Sequence, residues 1–119
     1  MPLKKKGRRL SRERIVRLIE TFDGEVNNGG FDQFFHNSAG NETAEMIQAL
    51  EIIGATKVAS ILKRAAKKFP GGMPPKERTT REDLLQSISP NTQAFSDLDK
   101  EFYSSPEDLA GLLEKYMGW

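Results

Sequence analysis

Glu25-Val-Asn-Asn-Gly-Gly-Phe-Asp-Gln-Phe-Phe-His-Asn-Ser-Ala-Gly40 is the stretch on which the fold of this chain turns. It holds three of the seven phenylalanines and the only histidine. Asn28-Gly29-Gly30 reads as the close of one helix, because glycine and asparagine tolerate the left-handed backbone that finishes a helix C-terminus. Phe31, Phe34 and Phe35 then fall at i, i+3 and i+4, one face of a second, short helix. Asn37-Ser38-Ala39-Gly40-Asn41 breaks that helix in turn. The stretch predicts a sharp bend that drives an aromatic wedge into the centre of a small helical domain.

Upstream, residues 1–10 read as a basic flexible arm with almost nothing apolar to bury. Ser11 is a candidate N-cap, and Ile15, Leu18, Ile19, Phe22 and Val26 recur at helical spacing, so a helix is predicted over residues 12–27. Gly24 interrupts it at a cost of about 1 kcal/mol against alanine. Downstream, Asn41 or Thr43 caps a helix whose inward residues are Ala44, Ile47, Leu50 and Ile53, and Gly54 stops it. Thr56 starts the next, with Val58, Ile61, Leu62, Ala65 and Phe69 on one stripe. Two helices so close in sequence form a hairpin.

Pro70-Gly-Gly-Met-Pro-Pro75 cannot continue a helix. Thr79-Thr-Arg-Glu82 reads as a capping box ahead of Leu84, Leu85 and Ile88. Phe95, Leu98, Phe102 and Tyr103 mark a short helix. Ser105-Pro106-Glu107-Asp108 starts the last one, which carries Leu109, Leu112, Leu113 and Tyr116 and ends at Gly118. Neither a repeat nor a strand-like alternation appears. The expectation is an all-α, compact single-domain bundle of about six helical segments over residues 11–119, behind the arm of residues 1–10.

Composition narrows the function classes. The chain has no cysteine, which excludes a disulfide framework, a thiolate metal site and a cysteine nucleophile, and fits a reducing, cytoplasmic setting. No apolar run approaches the length of a membrane span. The net charge of +1 hides a split. Residues 1–20 hold eight Lys or Arg against two Glu, a net of +6, and the remainder holds ten against fifteen acids, a net of −5. Lys4, Lys5, Lys6, Arg8 and Arg9 of the arm, with Lys63, Arg64, Lys67 and Lys68, form a candidate basic surface for nucleic-acid phosphates. Cations near a helix C-terminus are also favoured by the helix dipole alone. Asp97, Asp99, Glu101, Glu107 and Asp108, with Glu114, form a candidate acidic surface that could attract the basic groove of a DNA-binding protein.

Chemistry is thinly signalled. Asp32 and His36 stand at i and i+4, an acid–histidine spacing, but a lone histidine is more often structural, and a metal needs further ligands. Asn27-Asn28-Gly29-Gly30 lacks the preceding strand and the following Lys-Ser/Thr of a phosphate-binding loop. No serine has a recognisable histidine partner. The expectation is a non-enzymatic chain with neither cofactor nor metal.

The stretch Glu25–Asn37 resembles the bacterial DNA-mimic protein family. Ala49-Leu-Glu-Ile-Ile-Gly-Ala55, Ala59-Ser-Ile-Leu-Lys-Arg-Ala65, Phe69-Pro70 and Phe95-Ser-Asp-Leu-Asp-Lys-Glu-Phe-Tyr103 follow in the family's order, so the resemblance covers residues 11–117. It implies an all-helical, non-catalytic domain, in which Asn28, Gly29, Gly30, Phe31, Phe34 and Phe35 determine the fold and are not a binding site. It also implies a protein partner, a DNA-binding regulator, met through an acidic surface. The body here is only mildly acidic, so direct, sequence-tolerant nucleic-acid binding by the basic arm is the alternative expectation.

Overall fold

Ser11 opens the first helix as the sequence predicts: its hydroxyl accepts the Arg14 N–H at 3.1 Å. In the computed structural model, which describes residues 9–118, this helix, α1, runs Arg12–His36. It is two helical segments joined at a kink, where Gly29 leaves helical geometry and Gly30 adopts φ 73° and ψ −170°. The first segment turns Ile15, Leu18, Ile19, Phe22 and Val26 inward, and the second Phe31, Phe34 and Phe35. The predicted break therefore falls where the asparagine–glycine pair put it.

The remaining helices are α2 Thr43–Ile52, α3 Thr56–Ala66, α4 Arg78–Ile88, α5 Ser96–Ser104 and α6 Leu109–Met117, six in all among the described residues. They form a single all-α body. α1 packs against α2, α4, α5 and α6, while α3 closes the far side against α2 and α5. All seven phenylalanines are buried. Their rings form one connected cluster: Phe22 meets Phe31, Phe34 and Phe102, and Phe35 meets Phe31, Phe34, Phe69 and Phe95. Most pairs are tilted or edge-to-face, the geometry that ring quadrupoles favour by about 0.5–1.5 kcal/mol per pair beyond burial. The aromatic wedge is thus the centre of the core.

Several local expectations change. A 3-10 turn, Ser38–Glu42, precedes α2, so Asn41 is not its cap; Thr43 is its first residue, and its hydroxyl donates to Gly40 O at 2.8 Å. Ala44 is exposed, and Met46 and Ala49 join Ile47, Leu50 and Ile53 inside, because α2 is covered by both α1 and α3. The expected Thr79–Glu82 capping box is not formed. Glu77 caps α4 instead, accepting the N–H groups of Thr79 (3.1 Å) and Thr80 (2.8 Å), and Glu82 pairs with Arg78. α6 begins at Leu109, after the Ser105–Asp108 start signal. Leu10, placed by the sequence in the arm, is buried in the core. Residues 1–8 of that arm lie outside the described residues.

Candidate interaction surfaces

The Gly-Gly-Phe kink creates a new helix start, and α5 closes it. The Phe31 N–H donates to Asp99 Oδ1 at 2.9 Å. Asp99 presses so closely on Gly30 that a β-carbon there would stand 2.5 Å from Asp99 Oδ2. Glu25 bridges the bend, accepting from Gln33 Nε2 (3.1 Å) and Asn37 Nδ2 (2.9 Å), and Asn28 donates to Gln33 Oε1 at 3.0 Å. Glu25, Asn28, Gln33 and Asn37 of the stretch are thus spent on holding the bend, as its phenylalanines are spent on the core.

Its far end is held by a residue that the sequence did not single out. Arg81 of α4 is 0% exposed and donates to four backbone carbonyls: Phe35 and Asn37 (2.8 Å each), and Pro75 and Lys76 (3.0 Å each). Among the described residues no carboxylate is hydrogen-bonded to it; the carbonyl end of α1 supplies negative potential in its place. Burial lowers the arginine's pKa, with the charge of Arg78 adding to the effect. A β-carbon at Gly40 would lie 2.7 Å from Arg81 Nε, so this glycine makes room for the guanidinium. One signal was present: Arg81, Leu85 and Ile88 share a helical stripe, which puts the arginine on the inward face.

His36 is exposed, and its Nδ1 lies 4.0 Å from a Glu82 oxygen. The Asp32–His36 pair suggested by the spacing is not formed. Among the described residues Asp32 Oδ2 is buried without a hydrogen-bond partner, and burial raises the Asp32 pKa, opposed by the nearby Ser89 side chain. Asp32, His36, Glu82, Asp83 and Asp99 line a groove of about 810 Å³ between the second half of α1 and α4–α5. Burial also raises the Asp99 pKa, opposed by the Phe31 N–H and assisted by the charge of Asp32. Among the described residues no cluster of three or more His, Asp or Glu side chains is placed to hold a metal ion.

The candidate acidic surface divides. Asp99 caps the bend. Glu101 forms a two-bond pair with Arg64 (2.7 and 2.8 Å), which lowers the Glu101 pKa. Glu107 reaches from the α5–α6 connection to cap α3, accepting the N–H groups of Lys57 (3.0 Å) and Val58 (2.8 Å). Asp97 and Asp108 remain exposed. Asp108 belongs to a different group, along the seam between α1 and α6. Two hollows of about 250 and 120 Å³ share Asp23, Leu109 and Ala110, and together they carry Glu20, Asp23, Glu107, Asp108 and Glu114. No ion pair among the described residues engages Glu20, Asp23, Asp108 or Glu114. Burial raises the Asp23 pKa, opposed by the Asn27 hydrogen bond and assisted by the charge of Asp108 across the seam. Glu20 and Asp23 were missed because they lie two turns before the bend, within a helix that reads as core.

The candidate basic surface also divides. Lys63 pairs with Glu51 and Arg64 with Glu101, whereas Lys67, Lys68 and Arg9 are exposed. Lys4, Lys5, Lys6 and Arg8 lie outside the described residues. Other cations of the basic N-terminal segment are used internally. Arg14 and Arg17 both bind Glu42, and Arg12 donates to the Met117 carbonyl at 2.6 Å beneath the Tyr116 ring. No described helix is long and apolar enough to cross a membrane.

Neither a curated protein nor a solved structure matches the chain. A family model does, over residues 9–117, the span that includes the bend, its Arg81 clasp and the α1–α6 seam. The resemblance drawn from the Asn-Gly-Gly-Phe stretch is therefore borne out across the whole domain, and the chain belongs to the DMP19-like protein family.

Proposed function

We propose that this protein is a non-catalytic interaction domain of DNA-mimic type, which presents the α1–α6 seam to the basic groove of a DNA-binding protein. The observation that carries this reading is the set Glu20, Asp23, Asp108 and Glu114: four carboxylates along one furrow, with no cation paired to them among the described residues. Five carboxylates elsewhere, Glu42, Glu45, Glu51, Glu82 and Glu101, are instead neutralised in place. A row of uncompensated charge of one sign attracts a basic groove as duplex phosphates do. Family membership supports the same direction, since the family takes its name from a DNA-mimic protein.

The test is affinity capture from nuclease-treated native extract with the wild-type chain and with Glu20→Lys/Asp108→Lys/Glu114→Lys, all exposed positions. The expected result is a DNA-binding protein retained by the wild type and released by duplex DNA. Its affinity should fall by at least about tenfold with the triple variant, or ~1.4 kcal/mol. Equal capture by both chains refutes the seam as the site. If nucleic acid is recovered from untreated extract and no protein survives nuclease, the basic arm replaces it.

A further inference from the structure

An apolar hollow beside the lysines of α3 has no part in that reading. Ala44 and Ile47 of α2, Ala66 of α3, and Gly72 and Met73 of the following loop line about 310 Å³, and Lys63 and Lys67 stand at its edge. The space is open because alanine or glycine occupies three of these positions. Met73 forms its lip and is 41% exposed, one of three large apolar side chains left so among the described residues. A thioether on three rotatable bonds reshapes itself around an incoming side chain more readily than a branched residue.

Charge decides what can sit there. Lys67 and Lys68 make no ion pair among the described residues, and Lys63 has only the exposed Glu51. A nucleic-acid backbone would satisfy the lysines and leave the apolar floor unfilled. The chain's own Lys4-Lys5-Lys6 repeats the charge of the rim and is repelled. The seam of a second copy would bring carboxylates, but its apolar residues Ile19, Leu109 and Leu113 are buried and have nothing to insert. We infer that this hollow docks a short acidic segment of a partner protein, which inserts one large apolar side chain between Met73 and the α2–α3 hairpin while its carboxylates meet Lys63 and Lys67. The site stands independently of the α1–α6 seam: it uses other elements and the opposite charge. A chain with both would join a basic protein to an acidic one.

The experiment is selection of a phage-displayed library of short random peptides against the wild-type chain, followed by titration of the best synthetic peptide into wild type, Ala44→Glu and Lys67→Glu. Both substitutions are at exposed positions, and the melting curve of each variant checks that its fold is intact. The expected peptides carry one large apolar residue flanked by Asp or Glu. They should shift the Met73 methyl resonance and bind each variant at least about tenfold more weakly. Absence of enrichment overturns the inference, as do basic peptides or affinities that ignore both substitutions. Self-association of the wild type that Ala44→Glu abolishes also overturns it, in favour of a second copy as the occupant.

Discussion

Replacing Gly30 with alanine separates two reasons for a glycine at the bend. The first is backbone. At φ 73° and ψ −170° the residue occupies a region almost restricted to glycine, and a side chain there costs about 1–3 kcal/mol. The second is space. The new methyl would sit 2.5 Å from Asp99 Oδ2, so Asp99 must withdraw, and its 2.9 Å hydrogen bond to the Phe31 N–H breaks. A buried donor left without its acceptor costs about 1–3 kcal/mol more. Together Gly30→Ala should lose about 2–6 kcal/mol, a large share of the roughly 5–15 kcal/mol that holds a domain folded. Urea unfolding followed by far-ultraviolet circular dichroism measures this. In an Asp99→Ala background the cap is already gone, so the same substitution should cost only the backbone part, about 1–3 kcal/mol. The double variant should then be less destabilised than the sum of the two single ones by about 1–3 kcal/mol. A loss below about 1 kcal/mol for Gly30→Ala, or additivity to within about 0.5 kcal/mol, would refute the coupling of this glycine to α5.

Three further outcomes are expected. Arg81→Ala should destabilise by about 3–5 kcal/mol, because a buried network is broken and four carbonyls lose their donor; a urea midpoint close to wild type would mean that water replaces the guanidinium. Phe34→Ala should cost about 3–5 kcal/mol, since its ring is 0% exposed and contacts Phe22 and Phe35, and an unchanged melting temperature would contradict that burial. Glu77→Gln should alter the acid limb of the stability curve. The Thr80 hydroxyl and the Thr80 and Thr79 amides hold the Glu77 pKa down to about 2, against an ordinary 4.5. A depressed carboxylate stabilises above its unfolded value and ceases to do so as pH falls through its folded one. The melting-temperature gap between wild type and Glu77→Gln should therefore be full above pH 4.5 and close as pH approaches 2; a gap that persists there would rule out the carboxylate as the cap.

The fold was legible where a residue's own neighbours in sequence determine it. Asn28-Gly29-Gly30 announced the bend because backbone permissiveness is a local property, and Phe31, Phe34 and Phe35 announced the core because their spacing is helical. The start of α4 was misread because Thr79 and Glu82 satisfy the capping pattern, yet Glu77, two residues earlier, reaches the same amides. The acidic surface was harder to read for a different reason. A list of carboxylates does not say which are already committed: Asp99, Glu101 and Glu107 are engaged by Phe31, Arg64 and the first amides of α3, partners 68, 37 and about 50 residues away in sequence. Asp23 and Asp108 face one another only once α6 has folded back along α1.

That distance between a helix end and its cap governs how the domain comes apart. The second half of α1 begins on a carboxylate from α5 and finishes on a guanidinium from α4, and α3 begins on a carboxylate from beyond α5. Each of these ends takes a cap from elsewhere in the chain, so neither segment gains full helical stability until the others have docked. Local fraying at α5 uncaps α1 and releases the Glu101 hold on α3 in one event, which ties separate helices into a single cooperative unit. The amides of Phe31 and Val58, from helices far apart in the chain, should then exchange with solvent at a common rate set by global opening, and a peptide excised around the bend should hold little helix by itself.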